Sequence, residues 1–287
     1  MNTLLSPPFR RPEVHGHRGC RGLLPENTLP AFLHALALGV DVLELDVVIS
    51  ADLQVVVSHE PWLNPLICRG PAGEALSLTA TPQFNLYHMP YALIRQCDCG
   101  QVRHPAFPQQ VSLAAAKPLL REVLAAVEAA SREMGRTPVN YSIEVKSLLE
   151  GDNQYHPVPE EFLPLVLAEI NAAAVATRST LLCFDPRILR LAARLQPTLA
   201  TCLLVEQEQR WLPSLQHLGF IPTTFGPDHH SVSADAVAGL RATYPGLRLV
   251  PWTVNETPDM QRLLHLGVDG MTTDYPDRLL QYLRQLA

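Results

Sequence analysis

The sequence predicts an α/β chain folded as a TIM-type (β/α)8 barrel with a small insertion after the second strand. Three observations carry this. Short β-like runs alternate with amphipathic helical stretches, the pattern of βαβ units and a parallel sheet. The alternation recurs about eight times, which favours closure into a barrel over an open sheet. No glycine-rich loop follows an early strand, as an open nucleotide-binding sheet would require.

Taken in order, Val14–His17 is a short strand. Thr28–Leu38 is a helix with Asn27 or Thr28 as cap and Gly39 at its end. Val42–Ile49 reads as the second strand and Gln54–Ser58 as another. Leu119–Glu133 is helical, Val139–Lys146 is a strand and Glu160–Asn171 is a helix. Thr180–Phe184 is a strand before the helix Pro186–Leu195, which opens on proline in its first turn. Leu199–Val205 and Phe220–Phe225 are strands flanking the helix Gln207–Leu218. The helix Ala234–Thr243, strand Leu247–Val254, helix Thr257–Leu266, strand Val268–Thr272 and helix Pro276–Leu286 complete the series. Between Pro61 and Lys117 the rhythm breaks. A stretch of that length without a βα unit reads as an insertion, residues 61–117, folded over the barrel mouth of a single barrel spanning 1–287.

The 287-residue chain is 47% hydrophobic and 17% charged, ordinary for a globular enzyme, with a net charge of −6. An acidic balance argues against a nucleic-acid partner, because phosphate affinity there needs a basic surface. It allows a small phosphorylated substrate, since a bound cation can supply local positive charge. The six cysteines form no paired zinc pattern, and Cys97 and Cys99 stand as a lone C-x-C. They are expected to be mostly reduced thiols. No run is apolar and long enough for a stable membrane insertion, and no apolar leader is visible. The expectation is a cytoplasmic protein, or a periplasmic one if a leader has been removed. Nothing in the sequence speaks against a homo-oligomer.

The residues with chemistry cluster at predicted strand ends, where barrels keep their catalytic groups. His17-Arg18-Gly19 follows the first strand, and Arg18 offers a guanidinium fork for phosphate oxygens. In Val42–Val47, strand alternation puts Glu44 and Asp46 on one face and Leu43, Leu45 and Val47 on the other. With the leucines toward the helices, both acids point inward, where they need either cationic side chains or a metal. In Val139–Lys146, Asn140, Ser142, Glu144 and Lys146 share the inward face. Glu144 adds a third carboxylate. Three oxygen ligands without thiolate suit a hard divalent ion, Mg2+ or Ca2+. Val55, Val57 and His59 share a face, so His59 also reaches the barrel top. His17 and His59 together can act as acid and base on a phosphoester.

In these residues and their order the chain resembles the glycerophosphodiester phosphodiesterase family. The matching segments are His17-Arg18-Gly19, Pro25-Glu26-Asn27-Thr28, Glu44-Leu45-Asp46, Ser58-His59, Glu144-Val145-Lys146, Trp252-Thr253-Val254-Asn255 and Gly267 to Pro276, in family order along nearly the whole chain. The resemblance implies a TIM-type barrel with a small insertion, and metal-dependent hydrolysis of a glycerophosphodiester to glycerol 3-phosphate and an alcohol. It implies Glu44, Asp46 and Glu144 as metal ligands, His17 and His59 as the acid–base pair, and Arg18 and Lys146 as phosphate contacts. Trp252, late in the seventh barrel strand, becomes an apolar wall for the substrate. Glu26 and Asn27 brace the first loop, unless Glu26 itself reaches the site. The chain departs from the family at His59-Glu60, where His-Asp is usual. His15 is expected on the inner face as a structural residue. Two other readings stay open: a lysophospholipase D or sphingomyelinase D-like activity, served by an apolar rim from Trp62-Leu63 and Phe84 to Tyr87, and a non-catalytic barrel that binds phosphodiesters.

Overall fold

In the computed structural model, residues 11–77 and 84–286 are described; residues 1–10, 78–83 and 287, which belong to the expected barrel and insertion ranges, lie outside them. Along the chain run β1 (Glu13–Gly16), α1 (Leu29–Leu38), β2 (Val42–Ile49), β3 (Val55–Val57), α2 (Tyr91–Ile94), α3 (Leu120–Glu133), β4 (Asn140–Val145) and α4 (Pro159–Ala172). There follow β5 (Ser179–Cys183), α5 (Pro186–Leu195), β6 (Ala200–Val205), α6 (Trp211–Leu218), β7 (Thr224–Pro227), α7 (Ala234–Thr243), β8 (Arg248–Leu249), α8 (Thr257–His265), β9 (Gly270–Thr273) and α9 (Pro276–Leu286).

Eight of the strands pair in parallel in the order β8-β7-β6-β5-β4-β2-β1-β9. Individual backbone hydrogen bonds close the remaining seam: Asp269 N to Leu249 O at 2.8 Å, Thr272 N to Pro251 O at 3.0 Å and Val254 N to Thr272 O at 2.8 Å. The result is a TIM-type (β/α)8 barrel, as the alternation of elements predicts.

Local chemistry explains the element ends. Thr28 caps α1 through its hydroxyl, Pro30 lies in the first turn, and Gly39 closes the helix in the left-handed region at φ 99°. Asp185 caps α5 ahead of Pro186, accepting from Arg187 N at 2.9 Å. The outward residues Leu43, Leu45 and Val47 of β2 and Tyr141, Ile143 and Val145 of β4 pack with Phe32, Leu36, Leu124 and Phe162 of the surrounding helices. That is the main core, between strands and helices.

Two strand bounds need correction. The strand expected at Phe220–Phe225 starts later, at Thr224, because Pro222 cannot donate to a ladder and Ile221 is exposed. The long run Leu247–Val254 forms a regular strand only at Arg248–Leu249; beyond Pro251, which has no N–H to give, pairing continues as a separate parallel bridge between Trp252 and Asp228. The residues Gln54–Ser58 yield β3, which runs antiparallel to β2, with Val47 opposite Val57. The expected strand is therefore present, as a hairpin return that pairs with β2 off the main path of the sheet.

Among the described residues, the segment from Pro61 to Lys117 holds a 3-10 turn at Leu86–His88, the helical turn α2 and a small core of its own. Leu63, Ile67, Leu86, Met89, Tyr91 and Ile94 pack there on Val48 and Val56. Cys68 and Cys99 form a disulfide within it, a pairing that their spacing does not announce; Cys20, Cys97, Cys183 and Cys202 are free and buried. The segment touches loops at the carboxyl ends of the strands: Gln110 Nε2 donates to Arg21 O at 2.7 Å, and Asn85 Nδ2 to Gln154 O at 2.7 Å. Among the described residues no helix is long and apolar enough to cross a membrane.

Candidate active site

Inward barrel positions include Ser142, Thr180, Ala200, Thr224 and Thr272, which are too small to fill the interior. A cavity of about 800 Å3 therefore opens inside the barrel. At its upper end it is lined by His17, Arg18, Glu44, His59, Glu144, Lys146 and Trp252, the expected acid–base, phosphate-contact, wall and metal-ligating residues apart from the deeply buried Asp46.

Strand register brings the acids together. Asp46 stands opposite Glu144 across β2 and β4, and Glu44 opposite Ser142. One oxygen from each of Glu44, Asp46 and Glu144 lies within 4.8 Å of the others. The acids have cationic neighbours as well. Lys146 Nζ is 2.6 Å from Glu144 Oε1 and 3.7 Å from Asp46 Oδ1, and Arg18 Nε is 3.3 Å from Asp46 Oδ2. Burial would raise Asp46, but Arg18, His59 and Lys146 outweigh it and hold its carboxyl far below the ordinary range. Glu44 goes the other way: burial, then repulsion from Asp46 and Glu144, pushes it well above the usual carboxylate value. The side-chain cations thus leave one of the three acids uncompensated. An all-oxygen set whose third acid, Glu44, ionises readily only with a further cation beside it fits a hard divalent ion.

His17 arrives through the tight turn after β1. Arg18 at φ 49° and Gly19 at φ 86° are both left-handed, and a Cβ on Gly19 would sit 2.8 Å from the backbone of Ala31. The turn aims the Arg18 N–H at Glu44 Oε2, 2.8 Å away. The guanidinium of Arg18 folds back to Glu26 Oε1 at 2.8 Å, and Asn27 Nδ2 donates to Asp46 Oδ2 at 2.9 Å. Glu26 and Asn27 therefore brace the first loop, and Glu26 reaches the site through Arg18.

His17 Nδ1 lies 2.6 Å from Asp274 Oδ1, and its Nε2 lies 3.9 Å from Glu44 Oε2. Burial drives the His17 pKa down, and Arg21 and Arg18 add to this. Attraction to Asp274 only partly offsets them, leaving the ring at about 4. A neutral ring with Nδ1–H on Asp274 presents the Nε2 lone pair to the cavity. Because the ring titrates near 6.5 when unfolded, the stability gained from keeping it neutral is complete above that pH. It fades as the pH falls toward about 4. Imidazole nitrogen NMR on the metal-free protein should accordingly find His17 neutral and Nδ1-protonated at pH 5.5. A ring already charged at that pH would contradict this.

His59 comes down from β3 rather than up a barrel strand. Ser58 N donates to Asp46 O at 3.0 Å, which sets the following imidazole beside the acids. Its Nδ1 is 3.1 Å from Glu60 Oε1. Burial would raise Glu60, but the His59 bond and the charges of His59, Lys117 and Arg18 hold it at about 2. Trp252 stands edge-on to Phe184 with ring centroids 5.6 Å apart, and its Nε1 donates to Gly226 O at 2.8 Å. His15 faces the cavity on the inner side, 3.2 Å from Glu13 Oε2.

A model of the glycerophosphoryl diester phosphodiesterase family matches residues 17–278. The chain belongs to that family. It is therefore an enzyme of the phosphoric diester hydrolase class. It is similar to the glycerophosphodiester phosphodiesterase of Bacillus altitudinis, 28% identical over 96% of this chain and 99% of the relative. A solved protein of Silicibacter pomeroyi DSS-3, assigned by name to the same family, superposes with a TM-score of 0.84. It is 31% identical and covers 96% of this chain and 94% of that one. A phosphodiesterase from Oleispira antarctica, solved with the product sn-glycerol-3-phosphate, shares the fold with a TM-score of 0.74 at 22% identity, over 95% and 97% of the two chains.

Sequence reasoning gave no role to Asp274, Asn255 or Arg21, which support His17. Asn255 Nδ2 donates to Asp274 Oδ2 at 2.8 Å, and Arg21 Nε to Asp274 Oδ1 at 2.9 Å. Both Asn255 and Asp274 fall within segments that match the family. Their position just after the last two barrel strands was the signal available. Lys117, buried and in the field of Glu60 and Glu26, ends the irregular segment and carried no signal.

Proposed function

We propose that the chain hydrolyses glycerophosphodiesters to glycerol 3-phosphate and an alcohol, with a role in lipid and glycerol metabolism. The observation that carries this reading is geometric: the His17 ring, 2.6 Å from Asp274 through Nδ1, stands beside three converging carboxylates. Glu44, Asp46 and Glu144 would hold a divalent cation, Mg2+ or Ca2+, which would supply positive charge against the phosphoryl oxygens. Arg18 and Lys146 would contact the same oxygens; both cations lie at the pocket wall, already paired with acids. His17 Nε2 takes the proton of the attacking oxygen, and Asp274 stabilises the imidazolium that forms. His59, held by Glu60, gives a proton to the departing alkoxide. Trp252 walls the organic part of the substrate, and residues 61–117 act as an insertion over the mouth that limits access.

Glu60 in place of the usual Asp does not break the contact, since its longer side chain still meets His59 Nδ1 at 3.1 Å. The acid role predicts a leaving-group effect. His59→Ala should lose about 10^2-fold or more in kcat on glycerophosphocholine, yet stay near wild type on a nitrophenyl diester. Equal losses on both would sink the assignment.

One observation favours a second reading, a lysophospholipase D-like activity. An apolar cavity of about 290 Å3, lined by Pro61, Trp62, Leu148, Tyr155 and Phe184, adjoins Glu144 and Lys146 and could take part of an acyl chain. Leu63 and Leu86 are buried and contribute nothing to a rim. Turnover of glycerophosphocholine against lysophosphatidylcholine separates the two readings.

A further inference from the structure

A second group of metal-ligating side chains directly follows β7. One oxygen of Asp228 and one ring nitrogen each of His229 and His230 lie within 4.8 Å of one another. The donor set differs from the acidic one: two imidazoles and one carboxylate suit a borderline ion rather than a hard one.

Part of this geometry has a local explanation. Asp228 Oδ1 accepts from His230 N at 2.7 Å and lies 3.0 Å from His230 Nδ1, which closes a turn. The turn does not account for His229. Its side chain is only 9% exposed, and its Nδ1 finds no hydrogen-bond partner among the described residues. A buried ring nitrogen left unpaired is costly. The other nitrogen, Nε2, faces Asp259 Oδ2 at 3.8 Å. That carboxylate lies beyond hydrogen-bond distance, so the open Nδ1 carries the argument; a bound ion at Nδ1 would fix the proton on Nε2, toward Asp259.

We propose that Asp228, His229 and His230 form a second cation site, selective for a borderline-soft divalent ion such as Zn2+ and separate from the acidic site. Ligand bonds of about 2.0–2.1 Å would set the three atoms roughly 3.4 Å apart, close to the 3.0 Å already found between Asp228 Oδ1 and His230 Nδ1. A side-chain rotation of His230, which is 78% exposed, can supply the adjustment. Metal on His230 Nδ1 moves the ring proton to Nε2, which solvent can reach. A water would complete the tetrahedron. The site is tied to the substrate pocket, because His229 N donates to Trp252 O at 2.7 Å and Trp252 N to Pro227 O at 3.0 Å. A bound ion therefore braces the segment that carries Trp252.

This proposal goes beyond the diester reading and does not depend on it. The test uses the full chain saturated with Mg2+ and titrated with Zn2+ by calorimetry, alongside Co2+ absorption spectra. Wild type should take up one more Zn2+ than His230→Ala or His229→Gln, and the Co2+ bands of nitrogen ligation should weaken in both variants. His230→Ala, at an exposed position, should keep the wild-type Tm without Zn2+, so a lost site would not reflect a lost fold. Equal Zn2+ stoichiometry in wild type and His230→Ala, with unchanged Co2+ spectra, would overturn the proposal and leave only a side-chain-capped turn.

Discussion

Replacing His17 with Ala is expected to lower kcat on glycerophosphocholine by about 10^3-fold, within the range for loss of a positioned general base. KM should change little, because the ring acts on a proton rather than holding the phosphate. Asp274→Asn gives an intermediate result with a distinct cause. An amide offered to Nδ1 favours the tautomer with the proton on Nε2, the wrong place for a base, and a loss of about 10^2-fold or more is expected. Arg21 and Asn255 still face position 274 in that variant, so the loop keeps its shape. A His17→Ala enzyme with near-normal kcat would remove the base from the account, and a silent Asp274→Asn would remove its orienting partner.

The second large effect concerns the acids. Asp46→Asn should weaken Mg2+ or Ca2+ binding by more than about 10^2-fold, since loss of an outer-sphere partner alone costs 10- to 100-fold. Activity should fall in parallel at fixed cation concentration. Glu44→Gln separates binding from stability. In the metal-free chain Glu44 is a buried acid repelled by two others. Neutralising it should leave Tm in chelator equal to or above wild type. Added cation should then raise Tm much less than in wild type, where preferential binding to the folded state stabilises it. A Glu44→Gln chain that melts lower in chelator and responds normally to Mg2+ would mean that Glu44 is a structural residue.

Much of this site was legible in the sequence because strand periodicity is strict. Once Leu43 and Leu45 face the helices, Glu44 and Asp46 can face only the cavity, and the same logic fixes Glu144 and Lys146. Direction of approach was less legible. The residues between β2 and β3 are too few for a parallel crossover, which needs a dozen or more. Chain length alone could have identified the hairpin that delivers His59. The His17–Asp274 contact spans 257 positions, and no local pattern encodes it. The Cys68–Cys99 disulfide lies in a segment without periodicity, where neither spacing nor propensity ranks the pairings. The late start of β7 shows a proline overriding an apolar run.

The most direct test is a crystal of the full chain soaked in Mn2+, a stand-in for Mg2+ visible by anomalous scattering. A single strong peak is expected at the carboxyl end of β2 and β4, bonded at about 2.0–2.3 Å to oxygens of Glu44, Asp46 and Glu144. The His17 ring should face that ion while remaining on Asp274. An enzyme that turns over glycerophosphocholine fully in chelator, with no peak between these three acids, would contradict it.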